Sequence, residues 1–323
     1  MKRTFAKFIL ALTAFIALFA NFISSDIPIF FKYQDHYYFP LVKIGVADQV
    51  YNEKIFNTNI NMKVNFKDPV LQNLIKEKGY IIFPFNPYLY NTLDIDYNFK
   101  VLQPPSRQHL LGTNSAGKDI LALGIYSIRN LFYTTFFISI VSILLALLCG
   151  ILQGYLGKIT DLILQRVYEI IIALPLLYVL LFIAATSYFN QGVMFSVIAL
   201  FSCTFLIPYI RFGVLRIKAE EYITSAQTLG LSKLKIMWAH ILPNILPLIK
   251  PILPVVMISN IFLIIGLDFL NQIPDNYGEP SFGLLLLEGK SNLDSPWILA
   301  TALVPIFLIA LSLSIIFEEK IND

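Results

Sequence analysis

Long, unbroken apolar runs dominate the pattern of hydrophobic and polar positions along this chain. A helix needs about 20 mainly apolar residues to cross the hydrocarbon layer of a membrane, and such runs occur six times, separated by polar segments. The strands of a membrane barrel would instead give short segments of alternating polarity. The pattern therefore predicts six membrane-spanning helices, at residues 5–23, 131–152, 170–188, 193–210, 251–267 and 297–317.

The composition agrees with a membrane protein and excludes several other classes. Hydrophobic residues make up 57% of the 323 residues and charged residues only 14%, and the mean hydropathy is +0.69. A disordered chain lacks so many apolar residues, and two cysteines cannot hold a fold of this size together. The net charge of +3 gives no reason to expect nucleic acid as a partner.

The positions of lysine and arginine predict the orientation of the spans. Short connections on the cytoplasmic side carry an excess of these residues. They are concentrated at the N-terminus, between the second and third runs, and between the fourth and fifth runs. The opposite connections are uncharged or acidic, and residues 268–296 hold five acidic side chains and one lysine. Both chain termini are therefore expected in the cytoplasm.

Residues 24–108, between the first and second runs, have the composition of a small packed domain. Aromatic clusters alternate there with turn-forming prolines, and aromatic side chains at this density bury surface, which disordered segments do not. We expect an extracytoplasmic insert in this segment. Residues 1–23 are interpreted as a retained anchor helix, because a poor signal-peptide cleavage site follows the first run.

Residues 112–119 follow the phosphate-loop pattern G-x-x-x-x-G-K but end in Asp119, where a serine or threonine hydroxyl should bind magnesium. Because no buried strand precedes the loop, a nucleotide site is rejected in favour of a turn and a helix that begins near Asp119. That helix is expected to lie on the membrane surface before the second span. Its apolar positions have helical spacing: Leu121, Ile125, Ile128 and Leu131.

The connection between the fourth and fifth runs is the most informative segment. Residues 219–244 have the pattern of two helices separated by Gly230, and the second helix is expected to end near Pro243. Such a helical hairpin would project from the membrane. Small residues allow close approach of another surface at Ser225, Ala226 and Gly230, and the apolar tip is expected to consist of Ile223, Leu229 and Leu231.

This hairpin resembles the coupling loop, or EAA loop, of ABC importer permeases. Thr224-Ser225-Ala226, Gly230 and the His-Ile-Leu-Pro-Asn sequence at 240–244 fall at the spacing of that family's motif. The ending is similar to that of the oligopeptide and dipeptide subgroup. Two positions depart from the motif, because Thr224 stands where a glutamate is expected and Ser225 where the first alanine is expected.

Two further segments carry the resemblance. The block from His109 to Arg129 is similar to the one that precedes the second span in C-type peptide permeases, with Lys118 in place of arginine. The tail after residue 317 lacks the family's usual extension. In the insert, residues 33–40, 68–70, 79–84 and 88–97 resemble the Yej-type permease, which is associated with oligopeptides and peptide antibiotics of the microcin C kind.

The resemblance implies an all-α membrane protein with the type I ABC importer (MetI-like) permease fold. Six transmembrane helices are expected, with the small insert after the first helix and a permease core of five helices at 109–323. The subunit would work in the bacterial cytoplasmic membrane with two ATPase subunits, a second permease and an extracytoplasmic peptide-binding protein. ATP hydrolysis would belong to the ATPase subunits, so no catalytic residue, metal ligand or cofactor is expected in this chain.

The resemblance also implies which residues couple the permease to the ATPase. Docking is assigned to Glu221, Thr224, Ser225, Ala226 and Gly230, and the return of the hairpin into the membrane to His240, Pro243 and Asn244. Inside the membrane, Asn260 is the candidate pathway residue. A polar side chain at that depth either lines a cavity or bonds a neighbouring helix, and the sequence leaves both alternatives open.

Other functions are weighed against peptide import. A permease for dipeptides, nickel or another small solute is the nearest alternative, and a channel or membrane scaffold not coupled to ATP is the alternative from a different class. A membrane enzyme is disfavoured, because the three histidines are scattered along the chain and no paired acids lie within a run.

Overall fold

The structure is a computed structural model that describes residues 2–33, 36–41, 66–92, 101–186, 190–270 and 279–322. The described residues are mostly helical. Three helices are long and apolar enough to cross a membrane, and the number rises to five if each of two bent helix pairs forms one span. Gln34, Asp35, residues 93–97 and Tyr188, which belong to segments used in the predictions above, lie outside the described residues.

The elements follow one another in an order dominated by helices, with three short strands near the N-terminus. The first part of the chain contains α1 (Lys2–Leu18), α2 (Ala20–Ile23), β1 (Phe30–Tyr33), β2 (His36–Tyr38), α3 (Pro69–Lys78) and β3 (Gly79–Ile82). The middle contains α4 (Ile120–Leu156), α5 (Lys158–Ala173), α6 (Leu176–Ala184) and α7 (Gln191–Lys218). The remainder contains α8 (Glu221–Thr228), α9 (Lys233–Ile236), a π-helical segment (Met237–Ile241), α10 (Leu242–Ile249), α11 (Leu253–Phe269), α12 (Phe282–Ser291) and α13 (Pro296–Asn322).

The described residues fall into two compact units. The first consists of Met1–Ala11, Leu131–Gly278 and Ile306–Asp323, and the second of Leu12–Asn130 and Glu279–Pro305. Helix α1 has 17 residues, which is the lower limit for a membrane span.

In the second unit, the three strands form an antiparallel sheet in the order β2-β1-β3. Phe31 on the central strand is fully buried and packs with Phe66, Leu71 and Ile75. The predicted all-α class is thus wrong in this small region. The reason is that Phe30–Tyr33 and Gly79–Ile82 are short and rich in aromatic and branched residues, and exposed and half-buried positions alternate along Gly79–Ile82, which suits a half-buried strand.

The same unit contains a buried polar network around the start of α4. Asp119 accepts the amide hydrogen of Ala122 at 2.8 Å, so that its carboxylate caps the helix that begins at Ile120. The other oxygen lies 3.0 Å from Nδ1 of His109, and the Asn86 side chain donates to Asp119 at 2.8 Å. The predicted helix start near Asp119 is confirmed.

The separate surface helix predicted before the second span is wrong. Helix α4 runs without interruption for 37 residues, which corresponds to about 55 Å. No proline occurs between Ile120 and Leu156, and nothing else in that sequence forces a helix to end. Near its start, Arg129 donates to Asn21 Oδ1 at 2.9 Å, and the Tyr126 hydroxyl lies 2.9 Å from the same oxygen.

The third predicted span is not one helix. Helix α5 ends at Ala173, and the chain turns by 78° before α6 begins at Leu176. Pro175 explains the break, because proline has no amide hydrogen for the helix ladder and forces the preceding residue out of the helical region. Leu174 accordingly has an extended backbone, with φ −83° and ψ 127°.

The first unit is held together by a hydrophobic cluster in which α4 and α7 approach closely. An added Cβ at Gly154 would lie 2.6 Å from Cβ of Val214 and 3.0 Å from the backbone oxygen of Arg211. One helical turn earlier, a Cβ at Gly150 would lie 2.6 Å from Cγ2 of Ile210. Two glycines four residues apart allow helix backbones to pack at short distance in a membrane.

We predict that Gly154→Ala lowers the melting temperature of the purified chain in detergent, because the added methyl group overpacks the contact at a cost of about 1–3 kcal/mol. Gly266→Ala is the matched control, since a Cβ at Gly266 meets no atom within 4 Å in helix α11. The control should keep or raise the melting temperature, as alanine favours helix over glycine by roughly 1 kcal/mol. Equal shifts in the two variants would contradict the role of the close contact.

Candidate functional site

The candidate site is the helical hairpin that follows α7. Helix α7 ends at Lys218, α8 spans Glu221–Thr228, and Gly230 has a positive φ of 77°. The amide of Gly230 donates to the carbonyl of Gln227 at 3.0 Å, and the amide of Leu231 donates to the carbonyl of Ala226 at 3.2 Å. This pair of bonds is the Schellman arrangement that ends a helix at a glycine, so the predicted stop at Gly230 is confirmed.

The second arm of the hairpin begins at a serine cap. Ser232 accepts the amide hydrogen of Lys235 through its hydroxyl oxygen at 3.4 Å, and helical backbone then continues from Lys233 to Ile249. The prediction that this helix ends near Pro243 is therefore wrong. The π-helical turn at Met237–Ile241 directly precedes Pro243, which lies in the first turn of α10. Pro243 removes one bond from the helical ladder at this point, and the backbone nevertheless stays helical to Ile249.

The inner face of the hairpin is packed on the rest of the first unit. Ile223 is fully buried and Ala226 is only 5% exposed, and both belong to the same cluster as Ile236, Ile241 and Val214. Ile223 is therefore not part of an apolar tip, and Ala226 is buried in the hydrophobic cluster.

The outer face and tip of the hairpin are exposed. Glu221, Thr224, Ser225 and Gly230 are all exposed, and Leu229 at the tip is 81% exposed. Leu231, also expected at the tip, is half-buried against the hydrophobic cluster. Leu229 is thus exposed at the tip, and Leu234, at the start of the second arm, is 65% exposed.

Two polar side chains of α8 form hydrogen bonds with backbone carbonyls of their own helix. The Ser225 hydroxyl donates to the carbonyl of Glu221 at 3.0 Å, and the Thr228 hydroxyl donates to the carbonyl of Ser225 at 2.8 Å. Glu221 lies in the first turn of α8, where a negative charge is favoured by the helix dipole.

The base of the hairpin is fastened by three residues from its two arms. The Asn244 amide nitrogen donates to the carbonyl of His240 at 2.6 Å and lies 3.3 Å from the hydroxyl oxygen of Tyr222. The rings of Tyr222 and His240 have centroids 6.4 Å apart. We name Tyr222, His240 and Asn244 the hairpin base. Two of the predicted return residues are thereby brought together, while Pro243 is exposed beside them.

Two further contacts connect α7 to neighbouring helices just before the hairpin. The Lys218 ammonium donates to the carbonyl of Tyr155 at 2.7 Å, and this carbonyl lies in the last turn of α4, where a cation is favoured. Arg211 makes a bidentate pair with Asp161 of α5, with N–O distances of 2.7 Å and 2.6 Å. The last turn of α7 is therefore attached to α4, and its middle to α5.

Asn260, the candidate pathway residue, is 1% exposed in helix α11. Its side-chain oxygen accepts from the Ser202 hydroxyl of α7 at 2.6 Å, and its side-chain nitrogen donates to the Ser139 hydroxyl of α4 at 3.2 Å. Of the two alternatives left open by the sequence, the structure shows both, because Asn260 bonds neighbouring helices and also lines a cavity in the first unit. Asn260 joins three helices.

The loop at 112–119 has a structural role in the second unit. Ser115 donates both its amide hydrogen, at 2.8 Å, and its hydroxyl hydrogen to the Glu288 carboxylate, and Asn114 donates to the same group at 3.2 Å. A carboxylate of the chain itself thus occupies the position where a phosphate loop would hold its anion. Among the described residues, no group of three or more histidine, cysteine, aspartate or glutamate side chains is arranged to hold a metal ion.

Several residues of the site were missed by the sequence analysis. Tyr222 and Lys218 act through contacts with residues 22 and 63 positions away along the chain, respectively. Asp161 and Arg211 are 50 positions apart. The one usable signal was the presence of Arg216 and Lys218 in the last turn of α7, because basic residues in a last turn often bind helix carbonyls.

Comparison with known proteins gives matches over most of the chain. Residues 142–318 match the family described as "Binding-protein-dependent transport system inner membrane component". The "Inner membrane ABC transporter permease protein YejE" of Escherichia coli K12 is 32% identical over 311 residues, which cover 95% of this chain and 88% of the relative. The "Peptidoglycan transport system permease protein YejE" of Agrobacterium fabrum C58 is 29% identical over 334 residues, covering 96% of this chain and 85% of the relative.

A third relative covers less of the chain. The "Oligopeptide transport system permease protein OppC" of Lactococcus lactis subsp. lactis IL1403 is 29% identical over 240 residues, which cover 72% of this chain and 81% of the relative.

We predict that Asn244→Ala loosens the hairpin base and increases the rate of amide hydrogen exchange in α8 severalfold, because about 1 kcal/mol of hydrogen bonding is lost. Hydrogen–deuterium exchange with mass spectrometry on the purified chain measures this rate. Gln227→Ala, at an exposed position of the same helix, is the control and should leave the exchange rate unchanged. Identical exchange in α8 of both variants would show that the base does not fasten the hairpin.

Proposed function

Because this chain belongs to the family of inner membrane components of binding-protein-dependent transport systems, we propose that it is the permease subunit of an importer that carries oligopeptides or peptide-like compounds across the cytoplasmic membrane. Membership makes the chain the membrane component of an ABC transporter and not the ATPase. The resemblance found in the sequence is thereby confirmed at the level of the family.

The proposed topology has six spans with both termini in the cytoplasm. Helix α1 is the first span, α4 the second, the bent pair α5 and α6 the third, α7 the fourth, α11 the fifth and α13 the sixth. The insert at 24–108 then lies outside, and the permease core at 109–323 carries the hairpin of 219–244 on the inside. The basic side chains around the hairpin support this orientation, because Lys218, Lys233 and Lys235 lie in a short connection.

The proposed substrate class follows from the names of relatives. The relative from Lactococcus lactis is named for oligopeptide transport and the one from Agrobacterium fabrum for peptidoglycan transport. Peptide bonds are common to both kinds of substrate. We therefore assign a peptide or a peptide-containing compound to this importer ahead of nickel or another small solute.

The observation that carries the function is the exposed tip of a hairpin whose base and inner face are fixed. Leu229 is 81% exposed, while Ile223 and Ala226 anchor the same helix in the hydrophobic cluster. A rigid projection with an exposed apolar tip suits insertion into a groove of a partner. In the proposed complex the groove belongs to one of two ATPase subunits, and a second permease and an extracytoplasmic peptide-binding protein complete the importer.

The contacts of the hairpin provide a route for coupling. When ATP-driven closure of the ATPase pair displaces the hairpin, α7 moves with it through the shared hydrophobic cluster, and the Lys218 bond to the carbonyl of Tyr155 carries the displacement to the end of α4. A switch from 1:99 to 99:1 between inward-open and outward-open states requires about 5.5 kcal/mol. In the proposed complex, docking residues on α8 transmit this free energy to the permease. The hairpin base keeps the two arms from bending when the hairpin is displaced.

We predict that Leu229→Asp abolishes co-purification of the ATPase subunit with the tagged permease from membranes solubilised in mild detergent. A buried leucine contributes about 1.5–3 kcal/mol, so its loss weakens the contact by roughly tenfold or more. Leu293→Asp is the matched control, because Leu293 is 70% exposed in a segment outside the hairpin. Co-purification that survives Leu229→Asp, or is lost equally in the control, would contradict docking through the hairpin tip.

A further inference from the structure

A cavity of about 650 Å³ lies in the first unit beside the bend between α5 and α6. Its walls are the bend, one stretch of α7 and one face of α11, and on α11 the lining positions recur at the spacing of a single helical face. This volume falls within the range of small-molecule binding sites in proteins. The cavity is therefore large enough to hold part of a transported solute.

The bend itself creates this space. Because Pro175 ends α5 and turns the chain by 78°, neither helix fills the region next to Leu174 and Leu176, which both line the cavity. The last carbonyls of α5 and the first amides of α6 also lack partners within their own helices. Discontinuous helices of this kind form substrate sites in other membrane transporters.

The lining is apolar and uncharged. Ten of the fourteen lining residues are apolar, and the other four are Ser202, Thr204, Ser259 and Asn260. A charged side chain placed there would lose its hydration without gaining an opposite charge, which is costly in an apolar environment. An apolar side chain would instead bury its surface at no such cost.

Two hydroxyl groups of the cavity have already donated their hydrogens within the protein. The Ser202 hydroxyl donates its hydrogen to Asn260 at 2.6 Å, and the Thr204 hydroxyl donates to the carbonyl of Phe201 at 2.6 Å. A hydroxyl that has used its only hydrogen keeps its lone pairs for accepting. Thr204 is almost fully buried, so the half-buried Ser202 oxygen is the one suited to receive an N–H group, which every peptide backbone carries.

We propose that this cavity binds an apolar side chain of the transported peptide, with Ser202 accepting a hydrogen bond from an adjacent backbone amide. The inference rests on the proposed function and adds a selectivity to it. Among peptides delivered to this permease, those with larger apolar side chains pass more efficiently than those with small or charged ones. Val255 lines the cavity and is partly exposed. A larger side chain at this position therefore fills the cavity with little disturbance of the helix packing.

The test compares uptake of radiolabelled tri-leucine and tri-alanine into membrane vesicles that contain the complete transporter, with its binding protein and ATP. Val255→Trp should lower the ratio of tri-leucine to tri-alanine uptake about tenfold, which is the scale on which an apolar pocket discriminates between side chains. Phe262→Trp is the matched control, because Phe262 is exposed on the same helix and does not line the cavity. Its uptake ratio should equal that of the wild type.

Each other outcome has a defined meaning. An unchanged ratio in Val255→Trp, or an equal fall in uptake of both peptides, overturns the proposal. If native mass spectrometry finds a lipid that the wild type retains and Val255→Trp loses, with the ratio unchanged, the cavity holds an acyl chain and the proposal is wrong. ATP-dependent uptake of neither peptide by the wild type would contradict the proposed function itself, which separates that failure from a failure of side-chain selection.

Discussion

The close packing of α4 against α7 is the contact on which the rest of the candidate site depends. Gly150 and Gly154 let the two backbones approach until Ile210 and Val214 fill the space that side chains would otherwise occupy. At the end of the same interface, Lys218 binds the carbonyl of Tyr155 at 2.7 Å. The hairpin begins three residues later, so its position is determined by this packed pair of helices and not by a free loop. An apolar environment strengthens the arrangement, since a backbone carbonyl without water needs a donor from the protein.

Much of the fold was predictable from the sequence because apolar runs and helix-ending residues act locally. Helices α4, α7, α11 and α13 occupy the second, fourth, fifth and sixth predicted runs, and Gly230 ends α8 as expected. Two of the failures share a physical cause, which is that a proline has different effects in different settings. Pro175 breaks a helix by 78°, whereas Pro243 follows a π-helical turn in continuous helical backbone. Which outcome occurs depends on the residues packed around the proline, and a single sequence does not contain that information.

The candidate site was predicted in its position but not in its internal arrangement. Thr224, Ser225 and Ala226 are consecutive residues of α8, and the side chains of consecutive residues in a helix point in different directions. The structure turns Ala226 inward and leaves the other two exposed. The two exposed positions are those at which this chain departs from the motif of its family. The buried position keeps the alanine and lies in the hydrophobic cluster.

The π-helical turn at Met237–Ile241 has a geometric consequence for the hairpin. Such a turn is equivalent to one extra residue inserted in an α-helix, and one residue corresponds to a rotation of about 100° around the helix axis. The number of residues in this turn thus sets how far the tip of the hairpin is rotated about the helix axis, relative to the segment that re-enters the membrane. Deleting one residue from the turn would restore a regular α-helix. Leu229 would then point in another direction, with no loss of helical backbone. The number of residues between Gly230 and Pro243 thus determines the direction in which Leu229 points.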